Sequence, residues 1–544
     1  MPRPLLLFAS AMGLLLGTAF PAQAQDPQLP SLSPGVFEVR GPVRVSLPQI
    51  ERQPLSGFGP ALPVFTVGPR APIERPFVPD IEALPDLSLT EPPEPPTSLA
   101  TVTQNRVEAG AGTRFARYGR ADLTFGGEAG QFYVDADYDG LSVTDQASLQ
   151  DDLVDFDHVA VRAGGQSFAP GRFRLDGQVM RDSYTLAGLA VPTDRRVRRH
   201  VGIDASSSGV GTLPFEIKVG YANAQLTETG APSSETTENR IDAQADVALL
   251  DRSLRLDGAA GTSGLEGGIG TDVQYGVGGV SLAFERPSGL RLIVGARGLT
   301  YRSTEAAGGG DARQIGPIVD AQLPLGALHA FVTNDPHLAI RSVTSLSLEN
   351  PYVTGPLSLA PDVVPIDAKG GVELRSGGLR ARGFALLKYA PTFLIFEQVE
   401  TGLYAQNVLN ARTVGLGGDA AWILSSGVTV SASGEIRNGR TGDGATDGGK
   451  IPFFAPVVGR VGVSVPFSRG RMGLAAYGEA RRPMDRSDQT KAPAWGRLEL
   501  DARYDISGPF SAVLRGRHLL GTQERWPSFR EPGVAIEVGV RMVW

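Results

Sequence analysis

From about residue 104 to the C-terminus the chain alternates between apolar and polar positions. In GQFYVDADYDG (130–140), Phe132, Val134, Ala136 and Tyr138 share one side, while Gln131, Tyr133, Asp135 and Asp137 share the other. RIDAQADVALL (240–250) sets Ile241, Ala243, Ala245 and Val247 against Arg240, Asp242, Gln244 and Asp246, and GVTVSASGEIR (427–437) and RLELDARY (497–504) repeat the pattern. Period two means strands with two unlike faces. The apolar side carries no charge and the other side carries charges of both signs. A transmembrane barrel uses that code, with the uncharged side in lipid and the ionic side in an aqueous lumen.

The connections sharpen this reading. Short ones fall near 126–129, 169–171, 207–212, 250–252, 285–289, 324–326, 376–378, 425–427, 467–470 and 506–509. Between them lie longer polar connections, among them 183–195, 227–237, 302–312, 333–366, 438–455 and 521–532. Short turns on one side of a membrane and long loops on the other predict an all-β fold, a transmembrane antiparallel up-and-down β-barrel of about 22 strands over 104–544. An even strand number puts both barrel ends on the same side. FLIFEQ (393–398) fits a strand or a loop equally well. Two aromatic girdles are expected, Phe125, Phe168, Phe173, Phe215, Phe284, Trp422, Tyr504 and Phe510 near the short turns and Tyr138, Tyr221, Tyr301 and Tyr389 near the long loops.

The N-terminal part reads differently. Arg3, an apolar run from Leu5 to Phe20 and Ala22-Gln23-Ala24 form a secretory signal peptide over 1–24. Residues 25–103 hold 17 prolines and no strand pattern. Proline lacks the amide donor and restricts the residue before it, so this stretch reads as a disordered, extended periplasmic tail. The tail is a spacer or a docking strand for a periplasmic protein.

Charge and candidate chemistry narrow the function. The net charge of −7 argues against nucleic-acid binding. The chain has no cysteine, and no two of its five histidines are spaced as zinc ligands on a helix. DADYDG (135–140) opens like a calcium loop, but its twelfth position is Gln146, and alternation explains the aspartates equally well. GATDGGK (444–450) has Ile451 where a phosphate-binding loop needs Ser or Thr. No G-x-S-x-G is present. The expectation is therefore no enzyme, no cofactor and no metal. The candidate functional residues are lumen charges: Arg174, Asp176, Arg497, Glu499, Asp501, Arg503, Glu537 and Arg541. Mixed rings of this kind set a transverse field that selects polar solutes; the same charges can also simply pair across strands.

The last stretch, VLRGRHLLGTQERWPSFREPGVAIEVGVRMVW (513–544), carries Trp526, Phe529, Pro532-Gly533 and a terminal alternating strand ending on Trp544. It resembles the end of TonB-dependent receptor barrels, and the opening strands RVEAGAGTRFARYGRADLTF (106–125) are similar to barrels of that kind. The resemblance implies an outer-membrane location, lipid around the wall and passage of a solute. It also implies that Val538, Val540, Met542 and Trp544 form the signal read by the barrel-assembly machinery. The chain departs from the family in that the residues before the first strand show no α/β pattern of an N-terminal plug. Barrels of this width are plugged, so the long loops 333–366 and 438–455, the tail or a partner is expected to occlude the lumen. The alternatives are a non-transporting barrel that binds ligands outside and recruits a periplasmic protein, and a soluble secreted β-protein.

Overall fold

A computed structural model describes residues 105–544 except 128, 144–153, 168–171, 186–194, 210–213, 230–233, 251–252, 268–270, 287–288, 305–309, 351, 354–356, 401–402, 443–447, 522–523, 527–528 and 531–532. The signal peptide, the tail and most of GATDGGK lie outside the described residues.

The chain is a closed antiparallel barrel of 22 strands. The wall strands β1–β6 are Arg106–Gly112, Arg117–Gly127, Gly130–Val143, Val154–Ser167, Arg172–Thr185 and Arg195–Gly209. Strands β7–β12 are Phe215–Thr229, Ser234–Leu249, Leu254–Glu266, Thr271–Glu285, Arg291–Ser303 and Asp311–Leu325. Strands β13–β17 are Leu328–Asn334, Ile366–Ser376, Leu379–Glu400, Leu403–Ile423 and Thr429–Thr441. Strands β18–β22 are Val457–Phe467, Gly470–Glu479, Trp495–Ser507, Phe510–Arg517 and Ala535–Val543. Each pairs with its sequence neighbour, and β22 closes on β1 in the register Ala109↔Val540 and Gly112↔Glu537. Closure leaves no unpaired edge in hydrocarbon. Asn105 and Trp544 bond each other's backbones at 3.0 and 3.1 Å, which locks the two ends at the rim.

All the turns at one end are short, and every expected one falls in place. Leu325-Gly326-Ala327-Leu328 shows why: a two-residue hairpin needs positive φ, and Gly326 sits at φ 72°. The other end carries the long connections, the longest being 335–365. FLIFEQ is strand: β15 and β16 continue as one hairpin with Phe396 opposite Gln406.

The burial pattern is inverted relative to a soluble protein. Val538, Ile436, Leu416, Ile241 and Val179 are among the exposed residues, whereas Glu537, Glu499, Arg198 and Asp182 are buried. Phe125, Phe173, Phe284, Trp422, Tyr504 and Phe510 stand exposed near the short turns, Tyr221 and Tyr389 nearer the loops. An outer wall this apolar is stable only against lipid. A 14-residue strand such as β5, tilted about 40°, rises about 35 Å and so crosses the hydrocarbon layer. Gly383, Gly418, Gly434, Gly459, Gly478 and Gly496 lie directly opposite one another across β15–β20. They share the outer face with Leu416 and Ile436, and Gly383, Gly418 and Gly434 line a shallow hollow there.

One girdle residue is corrected. Tyr301 is 5% exposed and faces inward, packed in a core with Leu299, Leu346 and Tyr352.

Candidate functional site

The inner face of the wall changes character along each strand. Strand β7 runs Glu216, Lys218, Gly220, Ala222, Ala224, Leu226 from the turn end to the loop end, and β5 runs from Arg174 and Asp176 to Met180 and Tyr184. The lumen therefore has a polar belt below and an apolar shelf above, the latter including Leu226, Leu265, Val273, Leu299 and Tyr301.

The segment 335–365 fills the space against that shelf. The sequence reading expected a polar loop here, and the structure corrects it: Leu338, Val343, Leu346, Leu348, Tyr352, Leu359 and Val363 are all buried. Within it, helix α1 (Val343–Glu349) starts at a capping box, with the Ser342 hydroxyl accepting from the Ser345 amide at 3.0 Å and the Ser345 hydroxyl accepting from the Ser342 amide at 2.8 Å. A seven-residue helix is too short to persist alone; it forms because its faces pack on β6, β7 and β8.

Polar anchors fix the segment to the wall. The Glu238 carboxylate on β8 accepts from the Val343 amide at 2.7 Å and from the Ser263 hydroxyl at 2.9 Å. Arg297 on β11 donates to Asp335 at 2.5 Å, to the Pro336 carbonyl at 2.6 Å and to Asp257 at 3.0 Å. Gly279 faces this group, and a Cβ there would stand 2.6 Å from the Asp257 carboxylate, so a side chain at that position would have to push the carboxylate away from Arg297. Asp362 binds Arg341 and accepts from the Leu394 amide at 2.8 Å. Arg198 pairs with Asp182 at 3.0 Å and reaches the Ser347 hydroxyl at 3.4 Å. His158 hydrogen-bonds Asp182. The loop 442–456 adds to the packing, with Ile451 beside Ile395 and Ala411 and Phe453 against the larger core.

The lumen charges anticipated from sequence fall into separate groups. Arg174 binds Asp176 at 2.6 Å and the Tyr133 hydroxyl at 3.0 Å. Arg497 lies 3.7 Å from Glu499 and over the Trp495 ring, and Arg503 lies 3.5 Å from Asp505. Asp501 and Glu537 join a network across the seam. There Arg515 pairs with Glu108 and, at 3.6 Å, with Asp501. Arg517 pairs with Asp139 at 2.7 Å and Glu537 at 3.0 Å. Arg541 stands opposite Glu108 in the closing register. The seam network thus links β1 and β3 to β20, β21 and β22, across 407 residues in the Arg515–Glu108 pair. The calcium-like string resolves into strand: Asp137 pairs with Arg120 at 3.2 Å, and Asp139 with Arg517. Val538 and Val540 face outward, and Trp544 ends the strand at the rim, half exposed.

Solved structures share this architecture. The copper transporter OprC aligns with a TM-score of 0.63 at 12% identity, over 81% of this chain and 80% of that one. The fold is that of the TonB-dependent receptor barrels. The FrpB iron transporter from Neisseria meningitidis aligns with a TM-score of 0.63 at 8% identity, over 81% of both chains. The siderophore receptor PiuA from Acinetobacter baumannii gives 0.59 at 10%, over 81% and 82%. No family model matches the sequence, and no curated protein matches it. The likeness is one of fold, over about four-fifths of the chain.

Proposed function

We propose that this chain is an outer-membrane transport barrel that passes a polar solute and carries its own closure, the segment 335–365. The short-turn end faces the periplasm in this reading, and the charged belt lines the path below the closure. The barrel's likeness to copper, iron and siderophore carriers supports transport as the class of activity. The carrying observation is the buried helix α1 held to the wall by Glu238, with Leu346 and Leu348 fully buried on the apolar shelf. Arg174, Asp176, Arg497, Glu499, Asp501, Arg503, Glu537 and Arg541 serve as the polar lining. Val538, Val540, Met542 and Trp544 serve as the strand read by the assembly machinery.

Planar-bilayer conductance tests this reading. The full chain should conduct poorly, and a variant with 342–361 replaced by a short Gly-Ser linker should conduct strongly. A full chain that forms a permanently open, very large pore overturns the closure. The depth of the segment favours a second reading, a non-transporting barrel that binds ligands on its outer loops. That reading gains if cells lacking the protein lose no solute uptake while a periplasmic partner is lost in pull-down from a variant without residues 26–100.

A further inference from the structure

The inner wall at the short-turn end holds a second feature, a cleft of about 630 Å³. It lies on β10–β15, roughly halfway round the barrel from the seam. Its lining is strongly cationic: Arg286, Arg291, Lys369, Arg375, Arg380 and Arg382 line it, Arg291 within 3.9 Å of Asp320, and among the described residues Glu285 and Glu373 are the acids in the lining. Arg380 binds Glu373 at 2.9 Å, Arg375 binds the same carboxylate, and Arg382 binds Asp419 at 2.7 Å. Lys369 sits over the Phe384 ring at 5.1 Å. Among the described residues, neither Lys369 nor Arg286 has a carboxylate within ion-pair distance. One glutamate shared by two arginines, beside two further cations, leaves the cleft with a net positive field in a semi-enclosed space, where fields are focused.

The chain supplies a complement. Residues 76–104 contain Asp80, Glu82, Asp86, Glu91 and Glu94 and no lysine or arginine. This stretch joins the barrel at Asn105, at the same end as the cleft. Twenty-two strands about 4.8 Å apart, tilted about 40°, close on a diameter of about 44 Å. A proline-rich chain advances about 3.1 Å per residue, so Glu94 reaches about 34 Å from Asn105 and Glu91 about 43 Å. Glu91 and the acids before it can therefore span the mouth to the far wall, whereas Glu94 stops about 10 Å short of it.

We propose that the acidic segment 76–104 docks in this cleft, its carboxylates on Lys369, Arg286 and Arg380, so that the chain crosses the lumen beneath the closure. The inference does not rest on transport, since it concerns the position of a segment and is read as a distance.

The absence of native cysteine makes the test clean. Spin labels go on T90C and T333C, uncharged positions in the segment and on the cleft wall, in the full chain in detergent. A docked segment gives a narrow distance distribution near about 20 Å, whereas one tethered only at Asn105 gives a broad distribution beyond about 30 Å. Adding Arg286→Glu, Lys369→Glu and Arg380→Glu should abolish the narrow component. Changing the five acids of the segment to lysine in that background should restore it. A broad distribution in the parent, or a narrow one that survives the charge reversal, overturns the proposal. So does inorganic phosphate that binds the cleft, by calorimetry, without moving the label distance, since the cleft would then serve free anions.

Discussion

The sharpest handle on the closure is Glu238. Its carboxylate is buried and accepts from the Val343 amide at 2.7 Å and the Ser263 hydroxyl at 2.9 Å. Glu238→Ala removes both acceptors at once. Ser263 stands on the wall strand β9, so the closure itself loses the Val343 bond, and a helix-end amide left unsatisfied costs it about 1–3 kcal/mol relative to a detached state in which water satisfies that amide. The wall loses only the bond from the Ser263 hydroxyl and keeps the backbone pairing of position 238 with Ala224 and Leu265. At about 3 kcal/mol the detached population rises about 150-fold. Hydrogen exchange of amides 343–350 reads this directly, with planar-bilayer conductance as the functional counterpart. Exchange should accelerate by about two orders of magnitude while the barrel keeps its heat-modifiable gel mobility, and brief openings should become frequent. Glu238→Gln keeps one acceptor oxygen and should give an intermediate rate. Unchanged exchange in a correctly folded Glu238→Ala barrel would show that the shelf packing alone holds α1, and the anchoring argument would fail.

Three further outcomes follow from the same geometry. Glu537→Ala strips Arg517 of one of its two acidic partners, both side chains being nearly fully buried, and should lower the urea stability of the folded barrel by about 3 kcal/mol, with Glu537→Gln losing less; an unshifted transition would mean that the seam network contributes nothing to closure. Val538→Arg places a charge on the outer wall and should cost about 2–4 kcal/mol near the bilayer midplane, read as lost recovery in the outer-membrane fraction, whereas a soluble β-protein would tolerate it. In the loop 480–494, slight desolvation raises the Asp485 carboxyl but is outweighed by hydrogen bonds from the Ser487 and Thr490 hydroxyls and the Thr490 and Gln489 amides, which hold it well below its ordinary value of 3.8. A lowered folded-state value stabilises the loop fully above that ordinary value and ceases to do so as pH falls through the folded one. The protection factors of the Gln489 and Thr490 amides, exchange rates corrected for the intrinsic pH dependence, should therefore be the same at pH 5 as at pH 7, and Asp485→Asn should lower them at both; a loss of protection already at pH 5 would contradict the assignment.

The wall was legible in the sequence because each of its rules is local. Alternation such as Arg240-Ile241-Asp242 fixes which face meets lipid, and Leu325-Gly326-Ala327-Leu328 fixes a hairpin without reference to anything distant. The interior was not, because its rule is tertiary. Leu299 and Tyr301 occupy the inward positions of β11, in line with Arg297, while Leu292 and Val294 occupy the outward ones. With both faces apolar, period two no longer says which side is which, and Tyr301 was assigned to a girdle. The helix was hidden for a related reason. Ser342 and Ser345 form its capping box, but serines are equally at home in a polar loop, and seven residues carry too little periodicity to reveal Leu346 and Leu348 as core. The partners of the lumen charges were equally out of reach, since pairing Arg515 with Glu108 requires knowing that the first and last strands adjoin.

The grading of the inner wall also explains why the segment 335–365 stays on the shelf. Leu226, Leu265, Val273 and Leu299 would face lumen water if 335–365 were elsewhere, at about 1.5–3 kcal/mol for each side chain left wet. Glu238, Arg198 and Arg297, by contrast, sit at the edge of that shelf and act on the segment itself, through Val343, Ser347 and Asp335. The shelf thus sets how strongly the segment binds, and the charges set where. If the barrel transports as proposed, an open state has to cover the shelf by other means, so a solute that opens it from the loop side should present an apolar face to the wall together with polar groups for the anchors that α1 vacates. A fully hydrated ion offers no such face and should leave α1 in place, which hydrogen exchange of residues 343–350 in the presence of each kind of solute would distinguish.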